Sequence, residues 1–371
     1  MTLRAMGSPY IEWAKTCSQA RFNLASSGVM NYPLARLPVN IEDLELSGPS
    51  FYGYEPLQAA LAAKCRVTPE CVVAATGASM ANYLAMAAVL EPGDEALVEE
   101  PTYEPLLAVA QYLGASVKRF ARNAGDGFAL DVGLLERSVS ARTRLIVMSN
   151  LHNPTSALAG QDTLRRLGEA ARGVGARVLV DEVYLETLFE DAPPSAFHLG
   201  EEFITTNSLT KAYGLSGLRC GWILAGPELA HRMWRLNDLF GNIPAHAAEL
   251  LSCVALERLG EIAARARSLL ETNAALLNSF LSTRDDLDCL PHKFGTVSFP
   301  RLKGGGADGL CALLATKYET SVVPGRFFER PQHFRLGIGG ETDALKEGLD
   351  RLGRALDEMK AAPDSAFVIH H

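Results

Sequence analysis

Apolar and polar positions follow two different periods along the middle of the chain. Short continuous apolar runs bounded by turn residues predict buried strands at 71–75, 95–100, 144–150, 176–182, 202–208 and 220–226. Segments with apolar residues at helical spacing lie between them, at 78–90, 102–114 and 162–175. Apolar strands that alternate with helices are typical of a mostly parallel sheet with both faces covered. The pattern therefore predicts an α/β fold.

The last third of the chain has a different pattern. A long helical pattern covers 245–283 and is followed by short strand-like runs at 296–300, 321–324 and 334–338 and an amphipathic helix at 342–360. We predict a large domain over 45–285 and a smaller α+β domain made of 1–44 plus 286–371. The long helical segment is expected to link the two.

Composition narrows the function classes. The 371 residues are 48% hydrophobic, with 35 Lys and Arg against 43 Asp and Glu, a net charge of −8. This balance argues against nucleic acid as the main partner, since phosphate contacts need clustered cations. We find neither a run of roughly 20 apolar residues nor a signal-peptide core, so we expect a cytoplasmic protein. The seven cysteines are scattered without a CxxC pair, which favours reduced thiols over disulfides or a metal site.

Candidate functional residues follow the predicted strands at their carboxyl ends, where open α/β sheets bind ligands. In chain order they are Gly77, Ala78, Ser79, Tyr103, Asn153, Asp181, Tyr184, Ser208, Thr210, Lys211 and Arg219. They bring a glycine-led helix start, aromatic rings, an amide, a carboxylate, an amine and a guanidinium to one edge of the sheet.

These groups suit pyridoxal 5′-phosphate (PLP). A phosphate binds backbone N–H groups at a helix N-terminus, here 77–79, with hydroxyls and an arginine such as Arg219. The cofactor aldehyde needs a lysine amine, which Lys211 offers.

The PLP ring needs three further partners. A buried carboxylate such as Asp181 keeps the ring nitrogen protonated, so that the ring can take up electrons. Asn153 and Tyr184 are the candidate donors to the ring oxygen, and Tyr103 is the candidate for stacking on the ring face.

Five segments carry a family resemblance. They are "PGDEALVEEPTYEPL", "NLHNPTSAL", "VLVDEVYLE", "SLTKAYGLSGLRCGW" and the pair "VVPGRFF" and "FRLGIGG". In their order and spacing they resemble the fold-type-I aminotransferases of class I and II, from about residue 20 to about residue 340. The resemblance implies a seven-stranded-type sheet sandwiched by helices and a homodimer with shared active sites.

The resemblance also implies residue roles. Lys211 would hold PLP as a Schiff base and carry the α-proton, with Asp181 and Tyr184 as further catalytic residues. The substrate α-carboxylate would be bound by Arg335, Asn153 and the backbone near Ser27 and Gly28. The implied reaction moves an amino group between an α-amino acid and a 2-oxo acid.

Two positions depart from the family pattern. Ser156 stands where the family usually has glycine, and we expect this residue to be tolerated if its backbone angles stay ordinary. Gly48 stands where many relatives have a tyrosine that reaches the cofactor phosphate of the neighbouring subunit. Two alternatives follow: Tyr52 or Tyr54 replaces that contact, or the contact is missing.

Alternatives stay open for both residues and function. Tyr103 and Tyr184 could be core aromatics, and Arg335 an ordinary ion-pair residue. We expect Glu99 and Glu182 to be solvated or structural.

The function could also be that of a PLP-dependent lyase, decarboxylase or cyclase. The segments "LASSGVMNYPL" and "GPS" resemble capreomycidine-synthase-type enzymes, which eliminate and cyclise an arginine derivative. A non-catalytic regulator domain is the third hypothesis, and the intact lysine, aspartate and arginine argue against it.

Overall fold

The computed structural model of the protein describes residues 6–361. Within that range the helices are α1 (Pro9–Thr16), α2 (Glu55–Cys65), α3 (Gly77–Ala87), α4 (Glu104–Tyr112), α5 (Val132–Ser138), α6 (Gln161–Val174), α7 (Pro227–Asn237), α8 (His246–Glu257), α9 (Leu259–Ser282), α10 (Ala307–Lys317) and α11 (Thr342–Ala361). The strands are β1 (Phe22–Asn23), β2 (Val72–Thr76), β3 (Glu95–Glu100), β4 (Ser116–Ala121), β5 (Thr143–Ser149), β6 (Arg177–Asp181), β7 (Phe203–Ser208), β8 (Cys220–Leu224), β9 (Leu287–Asp288), β10 (Val297–Ser298), β11 (Arg301–Leu302), β12 (Thr320–Ser321), β13 (Val323–Pro324) and β14 (Phe334–Gly337).

Seven strands form the main sheet, in the order β2–β8–β7–β6–β5–β3–β4. Neighbouring strands are parallel from β7 through β4, whereas β8 runs antiparallel to both β7 and β2. The six predicted strands of this region all form. The α/β fold with a mostly parallel seven-stranded sheet is therefore confirmed.

The pattern does not predict β4. This strand pairs only with β3 at the edge of the sheet, and it carries Lys118 and Arg119 in its middle. Lys118 forms a salt bridge with Glu95 of β3 at 2.8 Å. An edge strand keeps polar residues at positions where a central strand has apolar ones, so it lacks the continuous apolar run.

Helix α6 shows how the sequence forms the covering layer. Its buried residues Leu164, Leu167, Gly168 and Ala171 recur at spacings of three, one and three, which places them on one face. The helix ends where Gly175 takes a left-handed conformation, with φ 73° and ψ 21°.

The long helical pattern at 245–283 forms two helices, α8 and α9, rather than one. They meet at Arg258, whose φ of −106° and ψ of 12° interrupt the helix, two residues before Gly260. Glycine has a low helix propensity, which favours a break at this point.

A second group of elements lies in the last third of the chain. Strands β10, β14 and β13 form an antiparallel sheet, and β1 pairs in parallel with β12. Their core contains Leu277 of α9, Leu314 of α10 and Leu352 of α11, all fully buried. The β1 pairing brings the N-terminal segment to this region. The domain boundaries stay a prediction, and residues 1–5 and 362–371 of the predicted small domain lie outside the described residues.

Two further features bear on function. No helix within residues 6–361 has both the length and the apolar character needed to cross a membrane. All seven cysteines are free thiols.

Candidate active site

A cavity of about 360 Å³ lies at the carboxyl ends of β5, β6 and β7. It is lined by ten of the residues that the sequence singles out: Ala78, Ser79, Tyr103, Asn153, Asp181, Tyr184, Ser208, Thr210, Lys211 and Arg219. The parallel strands end at the same edge of the sheet, which is why residues far apart in the chain meet here.

Gly77, Gly28 and Arg335 lie directly behind this lining. Gly77 is covered by the guanidinium of Arg219, and the carbonyl of Lys211 accepts a 2.8 Å hydrogen bond from the residue after Gly28. Arg335 donates to the side-chain oxygen of Asn153 at 3.0 Å.

Lys211 presents its amine to the cavity without an acidic partner. Its Nζ donates to Ser27 Oγ at 3.0 Å and makes no salt bridge with any residue in the described part of the chain. Burial lowers the pKa of Lys211 from 10.5 to about 8, helped by the positive charges of Arg335 and Arg219 and opposed by Asp181. A sizeable fraction of the amine is therefore neutral, and hence nucleophilic and basic, near physiological pH.

Asp181 ends β6 with its carboxylate in the cavity wall. Its side chain is held by Asn82 Nδ2 on one oxygen, at 2.8 Å, and by the backbone N–H of Val183 on the other, at 3.0 Å. The residue is 3% exposed, and burial raises the pKa of its carboxyl group. Asp181 makes no salt bridge with any described residue, and such a buried carboxylate is suited to a ligand that brings an N–H⁺ group.

Asn82 is itself oriented by a second bond. Thr206 on β7 donates its hydroxyl proton to Asn82 Oδ1 at 2.6 Å, so the amide nitrogen must face Asp181. The chain Thr206–Asn82–Asp181 therefore fixes the direction of the carboxylate.

The start of α3 forms a cradle with Arg219. Gly77 has φ +73°, and a Cβ there would lie 2.2 Å from Arg219 Nη2. A Cβ on Gly221 would lie 2.4 Å from the carbonyl carbon of Gly77. Both glycines thus allow the arginine to cross the helix N-terminus, where backbone N–H groups and the guanidinium together favour a phosphate.

Tyr103 and Tyr184 both belong to the cavity lining. Burial raises the pKa of both phenols, so each is a neutral hydrogen-bond donor. Tyr103 also packs edge-on against Tyr10, with ring centroids 5.8 Å apart.

Asn153 is supported from beneath by a buried ion pair. Glu99 and Arg122 are both fully buried, with Nε and Oε2 2.9 Å apart. Glu99 accepts from the backbone N–H and the hydroxyl of Ser149, each at 2.7 Å, and Ser149 Oγ accepts from the Asn153 N–H at 3.0 Å. Glu99 is therefore structural, one of the two roles expected for it.

The backbone of Ser156 does not meet the condition of ordinary angles under which the serine is expected to be tolerated. Its φ is +61°, in the left-handed region where the family's usual glycine is unstrained. A compensating contact exists, because Ser156 Oγ donates to the carbonyl of Val297 at 2.8 Å. The serine keeps the glycine conformation and adds a bond to β10.

Tyr52 lies on the surface rather than at the cavity. It is 44% exposed, its hydroxyl accepts from Arg235 at 2.6 Å, and its ring packs edge-on against Trp234. Tyr54 packs its ring against His246, with centroids 4.9 Å apart. A contact from either residue to a partner's cofactor stays a prediction.

Sequence reasoning misses the side-chain contacts of three residues with the key groups: Ser27, for which it predicts only a backbone role, Asn82 and Tyr10. Asn82 had a usable signal, since it is a polar residue three positions after Ser79 in an otherwise apolar helix. Ser27 and Tyr10 come from the N-terminal segment, and nothing near them in sequence shows that they meet Lys211 and Arg335.

The donor set fits PLP. The structure offers an anion cradle at Gly77, a buried carboxylate without a cation, a neutralisable lysine and an aromatic ring in one cavity. Each has a counterpart in the cofactor: phosphate, ring nitrogen, aldehyde and ring face.

Comparison with known proteins agrees with this chemistry. The chain is 32% identical over 372 residues to capreomycidine synthase of Streptomyces vinaceus, covering 94% of this chain and 93% of that protein. A PLP-dependent aminotransferase from Streptococcus suis 89-1591 superposes with a TM-score of 0.89 and 27% identity over 98% of both chains. The PLP-dependent cyclase OrfR has a TM-score of 0.82 and 26% identity, covering 91% of this chain and 93% of its own.

The family match settles the cofactor. Residues 42–352 match the family described as aminotransferase class I and II, whose members use pyridoxal 5′-phosphate. The predicted cofactor is thereby confirmed, and the chain belongs to the aminotransferase class I and II family of PLP-dependent enzymes.

Proposed function

We propose that the protein is an aminotransferase that moves the amino group of an α-amino acid to a 2-oxo acid. The observation that carries the proposal is the arrangement of Lys211, Asp181 and Arg335 around one cavity. All three side chains can carry a charge. None of them forms a salt bridge with another residue in the described part of the chain. Three such groups match the aldehyde, the ring nitrogen and the substrate carboxylate.

Arg335 binds the substrate carboxylate in this proposal. It is fully buried at the rear of the cavity, and its Nε has no hydrogen-bond partner. A guanidinium presents two parallel N–H groups that suit a carboxylate, and a buried cation gains most from an anionic partner.

Lys211 moves the α-proton. When bound, PLP supplies an electron sink for the Cα–H bond of the amino acid. Lys211 Nζ takes this proton as a general base and returns it as a general acid, for which a pKa of about 8 is well suited. Ser27 orients the amine by accepting one of its hydrogens.

Asp181 and Asn153 complete the roles. Asp181 would hold the protonated ring nitrogen of PLP, with the direction of its carboxylate fixed by Asn82 and the Val183 N–H. Asn153 lines the cavity, and its Oδ1 accepts a hydrogen bond from Arg335 behind it.

We further propose a substrate whose side chain is neutral or basic. Outside Asp181, Lys211 and Arg219, the described residues that line the cavity are uncharged, and they include Trp13, Ser18, Gln19 and Asn23 near α1. Apart from Lys211 and Arg219, which have other roles in this proposal, the described lining thus provides no cation for a side-chain carboxylate.

We also propose a homodimer. Large apolar side chains are exposed in two segments: Leu34, Ile41, Leu46 and Phe51 in the first, and Leu239, Phe240 and Ile243 in the second. Exposed apolar groups of this size favour burial against another chain. The free thiols support a reducing compartment such as the cytoplasm.

Product analysis tests the proposed reaction. The PLP-loaded enzyme is mixed with single amino acids, and the 2-oxo acid formed in one turnover is quantified by mass spectrometry. Transamination predicts one equivalent of 2-oxo acid, loss of the visible absorption of the aldehyde form and its return on adding a second 2-oxo acid. Continued turnover without a 2-oxo acid acceptor contradicts it.

A cyclase is the second candidate function. The 32% identity to capreomycidine synthase over 94% of this chain favours it, as does the likeness to the cyclase OrfR. In the same experiment a cyclase predicts many turnovers per enzyme, no 2-oxo acid and a cyclic amino acid as product.

A further inference from the structure

Arg335 is hydrogen-bonded to Tyr10, a residue to which the proposed carboxylate site gives no function. Its Nη2 donates to the hydroxyl of Tyr10 at 2.8 Å and to the carbonyl of Ala25 at 3.2 Å, while Nη1 donates to Asn153. Within residues 6–361 no acidic side chain forms a salt bridge with it. The buried guanidinium is therefore stabilised only by hydrogen bonds to neutral oxygens. One of these oxygens belongs to the Tyr10 hydroxyl, which can also donate a hydrogen bond of its own.

Tyr10 lies at the cavity with a donor proton available. It is 5% exposed, it belongs to the cavity lining, and its hydroxyl oxygen accepts from Arg335. Among the described residues no acceptor takes the hydroxyl proton. A phenol that accepts from a guanidinium is polarised, which makes it a stronger donor.

The ring of Tyr10 is held on several sides. It packs edge-on against Tyr103 and Phe327, with centroids 5.8 Å apart in each case, and tilted against Phe328 at 5.7 Å. Arg335 also lies over its face, 5.4 Å from the centroid. These contacts leave the hydroxyl little freedom to leave the cavity.

Helix α1 delivers this side chain. Ser8 caps the helix by accepting from the Ile11 N–H at 3.1 Å, and Pro9 occupies the first helical position. The Ser8 hydroxyl also donates to Glu104 of α4, which fixes the start of α1 against the main sheet's covering layer.

We propose that Tyr10 is a substrate-binding residue whose hydroxyl donates a hydrogen bond to the α-carboxylate held by Arg335. This rests on the proposed function in so far as the substrate carries an α-carboxylate. The hydroxyl then links the arginine, from which it accepts, to the carboxylate, to which it donates. Tyr10 thus adds a third hydrogen-bond donor to the two N–H groups by which Arg335 would bind the carboxylate.

Ligand binding to the PLP-loaded enzyme tests this. L-alanine, L-phenylalanine and L-arginine are each compared with the amine that lacks the carboxylate: ethylamine, 2-phenylethylamine and agmatine. Half-saturation is read from the visible absorption and from tryptophan fluorescence, so the readout is not turnover. Tyr10→Phe is compared with Tyr318→Phe, which removes a hydroxyl that donates to Glu358 on the surface.

Tyr10→Phe is expected to weaken binding of the tightest amino acid about 10- to 100-fold, as for one hydrogen bond to a charged group, and to leave the amines unchanged. Tyr318→Phe should change neither. Unchanged or tighter amino-acid binding in Tyr10→Phe overturns the inference, because a hydroxyl that only competes for Arg335 would give that result. A wild-type enzyme that binds amino acids no better than amines overturns the carboxylate site itself, and the proposed function with it.

An Arg335→Met background separates direct contact from an effect through the arginine. If Tyr10 donates to the carboxylate itself, Tyr10→Phe still weakens amino-acid binding several-fold there. If its effect vanishes in that background, Tyr10 only positions Arg335 and the assignment is wrong.

Discussion

Replacing Gly77 with alanine tests the phosphate cradle most specifically. The added Cβ would lie 2.2 Å from Arg219 Nη2 and 2.8 Å from its Cζ, so the guanidinium must move away from the start of α3. The phosphate then loses charge-assisted hydrogen bonds from Arg219. Such bonds contribute about 1.5–3 kcal/mol, which corresponds to about 10- to 100-fold weaker PLP binding.

The same substitution also strains the backbone. Gly77 has φ +73°, where a residue with a Cβ costs about 1–2 kcal/mol. Gly93→Ala is the matched control, because Gly93 has φ +93° and nothing within 4 Å of a Cβ. Both variants should lose similar folding stability, but only Gly77→Ala should lose PLP affinity.

The assay is a titration of the apoenzyme with PLP and, in parallel, with pyridoxal, which lacks the phosphate. Gly77→Ala is expected to weaken PLP binding and to leave pyridoxal binding within about twofold, a change well below one hydrogen bond. Equal weakening for both ligands, or unchanged PLP binding, would refute the cradle.

Three further predictions concern stability and pH. Ser156→Ala keeps the left-handed backbone but removes the bond to Val297, so it should lower the unfolding free energy by about 1 kcal/mol in chemical denaturation; an unchanged midpoint would show that the bond contributes nothing. Burial raises the pKa of Glu182 to about 7, so the wild type loses this group's stabilisation as pH rises from 4.5 to 7. Over that window Glu182→Gln should gain stability relative to wild type, by at most about 1.4 kcal/mol per pH unit, and a pH-independent difference would contradict the burial argument. Covalent capture of PLP by the apoenzyme should speed up with pH through about 8, the pKa of Lys211, and stopped-flow absorbance should show no such phase in Lys211→Ala.

The predictable part of the fold consists of the central strands. The runs that form β5 and β6 have continuous apolar centres, Leu145–Met148 and Val178–Val180, because both faces of those strands are covered, so their ends could be placed within a residue or two. The edge strand β4 has no such signal because one of its sides faces solvent. The break at Arg258 is not visible in the apolar periodicity, which continues through it, and only the low helix propensity of Gly260 favours it.

The candidate site likewise contains residues whose place the sequence predicts and residues whose place it does not. Asp181 and Lys211 follow strands, so topology alone brings them to one edge. Ser27 and Tyr10 reach that edge only because β1 pairs with β12 and α1 packs over the cavity, and these are contacts between distant parts of the chain. The Ser156 backbone shows a further limit, since its hydroxyl bond to a distant strand stabilises an angle that serine rarely takes.

The central claim is that Lys211 carries the α-proton of an amino acid bound by PLP in this cavity. Its most direct test is the exchange of that proton for deuterium in D₂O, followed by mass spectrometry of the amino acid. The PLP-loaded wild type should exchange the α-proton, and PLP-loaded Lys211→Ala should do so roughly 10²- to 10⁴-fold more slowly, the usual contribution of a general base. Exchange at the wild-type rate in Lys211→Ala would contradict the account.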